Sequence, residues 1–223
     1  MGYFAAMYRR TTVAVKTCIV ENKFKDGARM EHLDVVFANR YLNAWNAYHS
    51  KQPCTNAWCT TFDSAASTNL IVMQHLILGM NAHINLDLGI AAAETCPGNA
   101  IWDLQDDFEK INDVIATTSQ QVQEALTQIW FPLRFIKQLT NKREDAVLNF
   151  SVAAARKASW ENGTALAPVQ GQANKNYIAQ MDRRVVEIAQ RITAPGFVMN
   201  CTLKPVLLME SKNISGIIDI LNK

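Results

Sequence analysis

Proline and glycine are scarce in this chain, six and nine among 223 residues, and charged residues make up only 19% of it. So few turn-forming residues disfavour a fold of many short strands joined by hairpins. Val/Ile/Thr-rich alternation with hairpin punctuation is missing as well. Cysteine is limited to Cys18, Cys54, Cys59, Cys96 and Cys201, an odd number spread along the chain. Cys54 and Cys59 have no matching second pair, which speaks against a disulfide framework and against a cysteine-ligated zinc.

No run stays apolar for the roughly 18 residues a bilayer span requires, because His, Asn and Asp interrupt the greasiest stretch, Leu70 to Ala93. The opening Met-Gly-Tyr-Phe-Ala-Ala-Met-Tyr-Arg-Arg lacks the basic-then-apolar order and cleavage site of a secretory leader. The expected setting is soluble and cytoplasmic, and the formal sequons at Asn149, Asn162, Asn200 and Asn213 read as coincidence. A net charge of +2 with acids and bases interspersed offers no extended field for nucleic acid or an anionic membrane. Gly-x-x-x-x-Gly-Lys-Ser/Thr, Gly-x-Gly-x-x-Gly and Gly-x-Ser-x-Gly are absent, so neither a phosphate-cradling loop nor a nucleophile elbow is indicated.

What the chain does have is helical periodicity. Apolar spacings of three and four predict helices over 3–22, 30–49, 56–66, 68–94, 100–117, 118–140, 144–166, 173–193 and 213–222. Pro132 inside an otherwise helical run predicts a kink or new start near Trp130. No break is long enough to be a linker. The chain therefore reads as all-α, a single-domain helical bundle over 1–223 with a central buried helix and a peripheral C-terminal segment. Phe197 to Leu208 is apolar but helix-poor, with Pro205, and is expected as an extended arm over the bundle or as a homodimer contact.

Function is sought where polar groups interrupt apolar faces, since an unpaired buried polar group costs about 1–3 kcal/mol. The helix from Asn69 to Ala93 is apolar nearly all round, which marks it as central. At about 100° per residue, Gln74, Asn81 and Asn85 share one stripe, while His75 and His83 flank Gly79 on another side. That leaves a notch between two imidazoles, with Asp87 one turn beyond His83. His75, His83 and Asp87 are the candidate metal ligands, or Asp87 orients an imidazole for acid–base work. The competing reading is a satisfied buried polar network.

In the helix 30–49, Arg40 falls in the middle of the stripe Leu33, Val36, Phe37, Ala44, Ala47 and Tyr48, and a buried guanidinium requires a carboxylate. Asp34, Tyr41 and Trp45 form a second stripe. In the helix 100–117, Asp107 projects between apolar residues and is a natural partner for Arg40 or another inward cation. In the helix 144–166, Asp145, Asn149 and Arg156 share a stripe beside Trp160. Arg156 is thus placed to hold an anion, or to pair with Asp145 or Asp107.

The run Val72-Met73-Gln74-His75-Leu76-Ile77-Leu78-Gly79-Met80-Asn81-Ala82-His83-Ile84-Asn85-Leu86-Asp87-Leu88 resembles the signature of a mostly bacterial, all-helical family catalogued as a domain of unknown function. Leu33 to Tyr41, Asp107-Phe108-x3-Asn112, Arg156-x3-Trp160 and the opening Gly2-Tyr3-Phe4-x3-Tyr8 extend the likeness over about 2–167. The resemblance implies that His75, Asn81, His83, Asp87, Asp34, Arg40, Asp107, Arg156 and Trp160 belong to one pattern and carries no activity with it.

Three functions compete. One is a divalent-metal-assisted hydrolase using zinc, manganese or iron on His75, His83 and Asp87. Asp34 or Asp107 would then act as base or further ligand, and Arg156 would neutralise an anionic substrate. The second is a small-molecule binding module walled by Trp45, Trp160 and Tyr41, with Arg40, Asn81 and other polar groups orienting the ligand. The third is a structural protein whose polar set only fixes packing.

Overall fold

The computed structural model describes residues 1–115 and 151–222, and among them there is no strand. Helices α1 (Gly2–Val20), α2 (Gly27–His49) and α3 (Asn56–Ser64) precede a long rod made of α4 (Val72–Met80), a π-helical segment (Asn81–Leu88) and α5 (Gly89–Thr95). A 3-10 turn (Gly98–Leu104) leads into α6, described over 105–115. Beyond residue 150 follow α7 (Val152–Leu166), α8 (Gly171–Thr193), α9 (Phe197–Met209) and α10 (Ile214–Asn222). The expected helix 118–140, the kink at Pro132 near Trp130, and Asp145 and Asn149 lie outside the described residues.

The rod Val72–Thr95 is the central element, packed against α1, α2, α3, α7 and α8. By length and composition it qualifies as a membrane span, with a mean hydropathy of 1.3, yet 89% of that stretch is buried by the protein. Burial in the core accounts for its apolarity. The expected helix 68–94 starts late because Ile71 is extended (φ −77°, ψ 159°). The π segment was not expected either. Its wider turns alter the usual i to i−4 bonding, and the carbonyl of Ile84 accepts the hydroxyl of Ser159 from α7. The two helices meet there closely: a Cβ on Gly89 would stand 2.8 Å from the Ser159 carbonyl oxygen, and one on Gly163 3.0 Å from that of Gly89.

Two expectations are corrected. Phe197 to Leu208 is helical rather than an arm, because Met199, Leu203 and Val206 repeat at i, i+4 and i+7 and bury against Ile71. Pro205 is tolerated inside α9 with the loss of one main-chain donor. Phe197 and Leu208, on the same helix, stay 84% and 82% exposed. Helix α10 covers Ala6, Val72 and Leu76 with Ile217 and Leu221. The second correction concerns cysteine: Cys54 and Cys59 are bonded, their Cα atoms 6.3 Å apart across the first turn of α3. An odd count excludes full pairing, not a local bridge, and Cys18, Cys96 and Cys201 are free.

Candidate functional site

His83 is 2% exposed and stacks on Phe37 (centroids 3.6 Å apart, planes within 7°), with Tyr8 edge-on at 4.4 Å. Its Nδ1 faces Asp87 Oδ2 at 3.5 Å. Asp87 gathers two stronger donors, Trp58 Nε1 at 2.7 Å and Arg40 Nε at 2.9 Å. Burial draws the His83 pKa down, opposed by Asp87 and helped by the charge of Arg40, so the ring is neutral at neutral pH. A proton on Nδ1, facing Asp87, leaves Nε2 with a bare lone pair, and Nε2 is buried with no hydrogen-bond partner among the described residues.

His83 lies on the wall of a cavity of about 240 Å³. The α1 side contributes Phe4, Met7, Tyr8, Thr11, Thr12 and Val15, and the α2 side Met30, Leu33, Asp34 and Phe37. Met73, Leu76 and Met80 come from α4, and His83, Ile84 and Leu88 from the π segment. Ile111 and Ile115 of α6 and Val152 and Arg156 of α7 complete it. Three of these side chains hold a buried polar atom without a partner among the described residues: Tyr8 Oη, Thr12 Oγ1 and His83 Nε2. Burial, then the negative charge of Asp34, pushes the Tyr8 phenol upward, while Thr12 nearby pulls it slightly back without meeting it in hydrogen-bonding geometry. Burial alone raises Asp34 from 3.8 to about 6.

Arg156 is 5% exposed. Its Nε donates to Asn112 Oδ1 at 2.7 Å and its Nη2 to the Phe108 carbonyl at 2.6 Å, and its guanidinium carbon stands 4.5 Å above the Phe108 ring. Burial lowers its pKa to about 10, which leaves it charged at neutral pH.

The other expected site residues are engaged elsewhere. His75 does not join His83 and Asp87. Its ring neighbour is Tyr3, its near polar groups are on the main chain of Ser67 and Leu70, and it is absent from the cavity wall. The notch at Gly79 is filled by the Phe4 ring, which a Cβ there would overlap. Among the described residues no three His, Cys, Asp or Glu side chains group as a metal site. Arg40 does have its carboxylates, but they are Asp87 and Glu94 rather than Asp107. Asp107 instead accepts the amides of Lys25 (2.7 Å) and Asp26 (3.0 Å) ahead of α2, with Arg29 4.0 Å away. Asn81 donates to the Val185 carbonyl at 2.9 Å and accepts from Asn85, while Gln74 donates to that of Ile192 at 2.7 Å. The polar stripe on the rod is a seam to α8. Tyr41 packs on Phe4 and Trp58, Trp160 on Phe108 and Trp102, and Trp45 on His49 and Phe62. None of these three lines the cavity.

Sequence reasoning missed Thr12, one turn from Tyr8 on α1, and gave Tyr8 no part in a site beyond its place in the opening that carries the family resemblance. It also missed Asp182, which accepts the amides of Asn56 (2.9 Å) and Ala57 (2.8 Å), and Glu210, which accepts that of Val72 (3.0 Å). Each is an acid set against the start of a helix far away in sequence, where the helix dipole favours negative charge.

A family model described as a family of unknown function (DUF5995) matches residues 1–195. The chain belongs to that family. No curated protein and no solved structure matches it. The DUF5995 match runs past residue 167, where the motif resemblance ended, and takes in α8, which supplies Asp182 to the start of α3 and the carbonyls of Val185 and Ile192 to the rod. Every cavity-lining residue falls within it, and only α9 and α10 lie beyond.

Proposed function

We propose that this protein binds a small organic molecule in the cavity between α1, α2, the π segment, α6 and α7. One observation carries the reading: three buried polar atoms without partners among the described residues, on Tyr8, Thr12 and His83, belong to side chains that wall one mostly apolar cavity. Each such atom costs about 1–3 kcal/mol if left bare, so their clustering points to a group that enters from the cavity. Apolar walls with a few polar groups are the usual composition of a ligand site. At the packing density of protein interiors the space holds roughly 180 Å³ of atoms, on the order of ten non-hydrogen atoms. A divalent-metal-assisted hydrolase would need His75 beside His83 and Asp87, an arrangement the described residues lack. The Arg40–Asp87–Trp58 network and the Asn81 seam serve packing, as the structural reading supposes.

The test is octan-1-ol, neutral and of matching size, in calorimetry and thermal melts, together with native mass spectrometry of the purified protein. Saturable binding with a rise of several degrees in Tm is expected, abolished by Met80→Trp in a protein whose circular dichroism is unchanged. Absence of both octanol binding and a retained compound in the wild-type protein would sink the reading.

A further inference from the structure

We infer that the ligand of this cavity carries one anionic group, a carboxylate or similar oxyanion on an apolar body, and that Arg156 receives it. The inference rests on the cavity being a ligand site and adds the chemistry of its occupant.

Arg29, Arg40 and Arg156 reach inward. Arg29 has Asp26 (3.7 Å) and Asp107 (4.0 Å), and Arg40 has Asp87 and Glu94. Arg156 is buried more deeply than either, lines the cavity, and has no carboxylate within 4.0 Å among the described residues. Its two bonded nitrogens meet neutral acceptors, Asn112 and the Phe108 carbonyl, which fix the guanidinium plane without neutralising it. The Phe108 face compensates the charge only in part. Its Nη1 makes no hydrogen bond among the described residues. A buried cation held in position, with a donor to spare and no counter-ion among the described residues, is the arrangement that selects an anion from a ligand. Burial draws the guanidinium pKa down to about 10, as expected where nothing negative stands close.

Asp34 sets the limit on the ligand's charge. It lines the same cavity, forms no ion pair or hydrogen bond among the described residues, and does not reach Arg156. A second negative charge on the ligand would meet Asp34, so a monoanion fits best. The remaining wall near Arg156 is Val152, Ile111 and Ile115, which suits a hydrocarbon body.

The experiment compares four eight-carbon probes by calorimetry at pH 7.5: octanoate, octane-1-sulfonate, octan-1-ol and octylamine, on wild type and Arg156→Gln. Octanoate and the sulfonate are expected to bind wild type at least tenfold more tightly than octanol, with the gap shrinking below threefold in Arg156→Gln. Should the variant fail to fold, the wild-type ranking alone decides. Octanol binding as well as octanoate, or octylamine binding best, overturns the anion assignment and leaves the cavity as a ligand site. No binding by any of the four overturns both.

Discussion

Asp87 takes donors from three different elements onto one carboxylate, Arg40 of α2, Trp58 of α3 and His83 of its own π turn. Half of this was legible. The spacing of His83 and Asp87 set them side by side, and Arg40 on an apolar stripe demanded an acid, but no local pattern says which acid or that an indole joins. Removing Asp87 takes the buried partner from a part-buried cation and strands the buried Trp58 donor. Asp87→Ala is therefore expected to cost about 3 kcal/mol in urea unfolding, against under about 0.5 kcal/mol for Glu94→Ala at the exposed end of the same guanidinium. Asp34 behaves in the opposite sense. Its pKa is about 6 folded and 3.8 in the reference state, so above pH 6 the native state bears the cost of burying its charge. As pH falls from 6 towards 3.8, the folded protein takes up the proton first and that cost is relieved. Asp34→Asn should accordingly be more stable than wild type by about 1–2 kcal/mol at pH 7, with the gain shrinking to nothing near pH 4 in paired denaturation curves. A constant difference across that range would show that Asp34 is not the group responsible.

At the scale of elements, periodicity placed most of the helices because each buries one face, and that is the property periodicity measures. It failed where geometry rather than polarity decides. Nothing in Asn81–Leu88 distinguishes a π segment from an α-helix, since the wider turn is set by the approach of α7 through Ser159, Gly89 and Gly163. The notch at Gly79 was foreseen as a place of close approach, but its occupant, Phe4, comes from 75 residues away in the chain. Helix α9 was hidden by Pro205 although Met199, Leu203 and Val206 already carried its repeat. The tight crossing of α5 and α7 yields a direct expectation. Gly89→Ala drives a methyl against the Ser159 carbonyl at 2.8 Å, and the rod cannot shift without disturbing its other neighbours. We expect a loss of about 2 kcal/mol in the unfolding free energy. A neutral result would mean that α7 can move away from the rod.

For the whole molecule, the cavity and the packing network meet at His83, which lines the one and faces Asp87 in the other. The network ties Asn81, Gln74 and Asp87 of the rod to α2, α3 and α8, while the cavity lies between the rod, α1, α2, α6 and α7. The C-terminal pair α9–α10 belongs to neither cavity wall, yet Glu210 closes the start of α4. Glu210→Ala should lower the unfolding free energy by about 1–2 kcal/mol while leaving octanol affinity unchanged. A parallel loss of affinity would show that the C-terminal helices shape the cavity.

The distant caps also bear on how the chain is made. The approach to α2 is closed by Asp107, α3 by Asp182 and α4 by Glu210, partners roughly 80 to 140 residues downstream. While the ribosome is still building the C-terminal half, the first helices to emerge have exposed amino ends and the apolar rod has no α7 or α8 to cover it. The starts of α2, α3 and α4 are thus closed one after another, as Asp107, Asp182 and Glu210 become available.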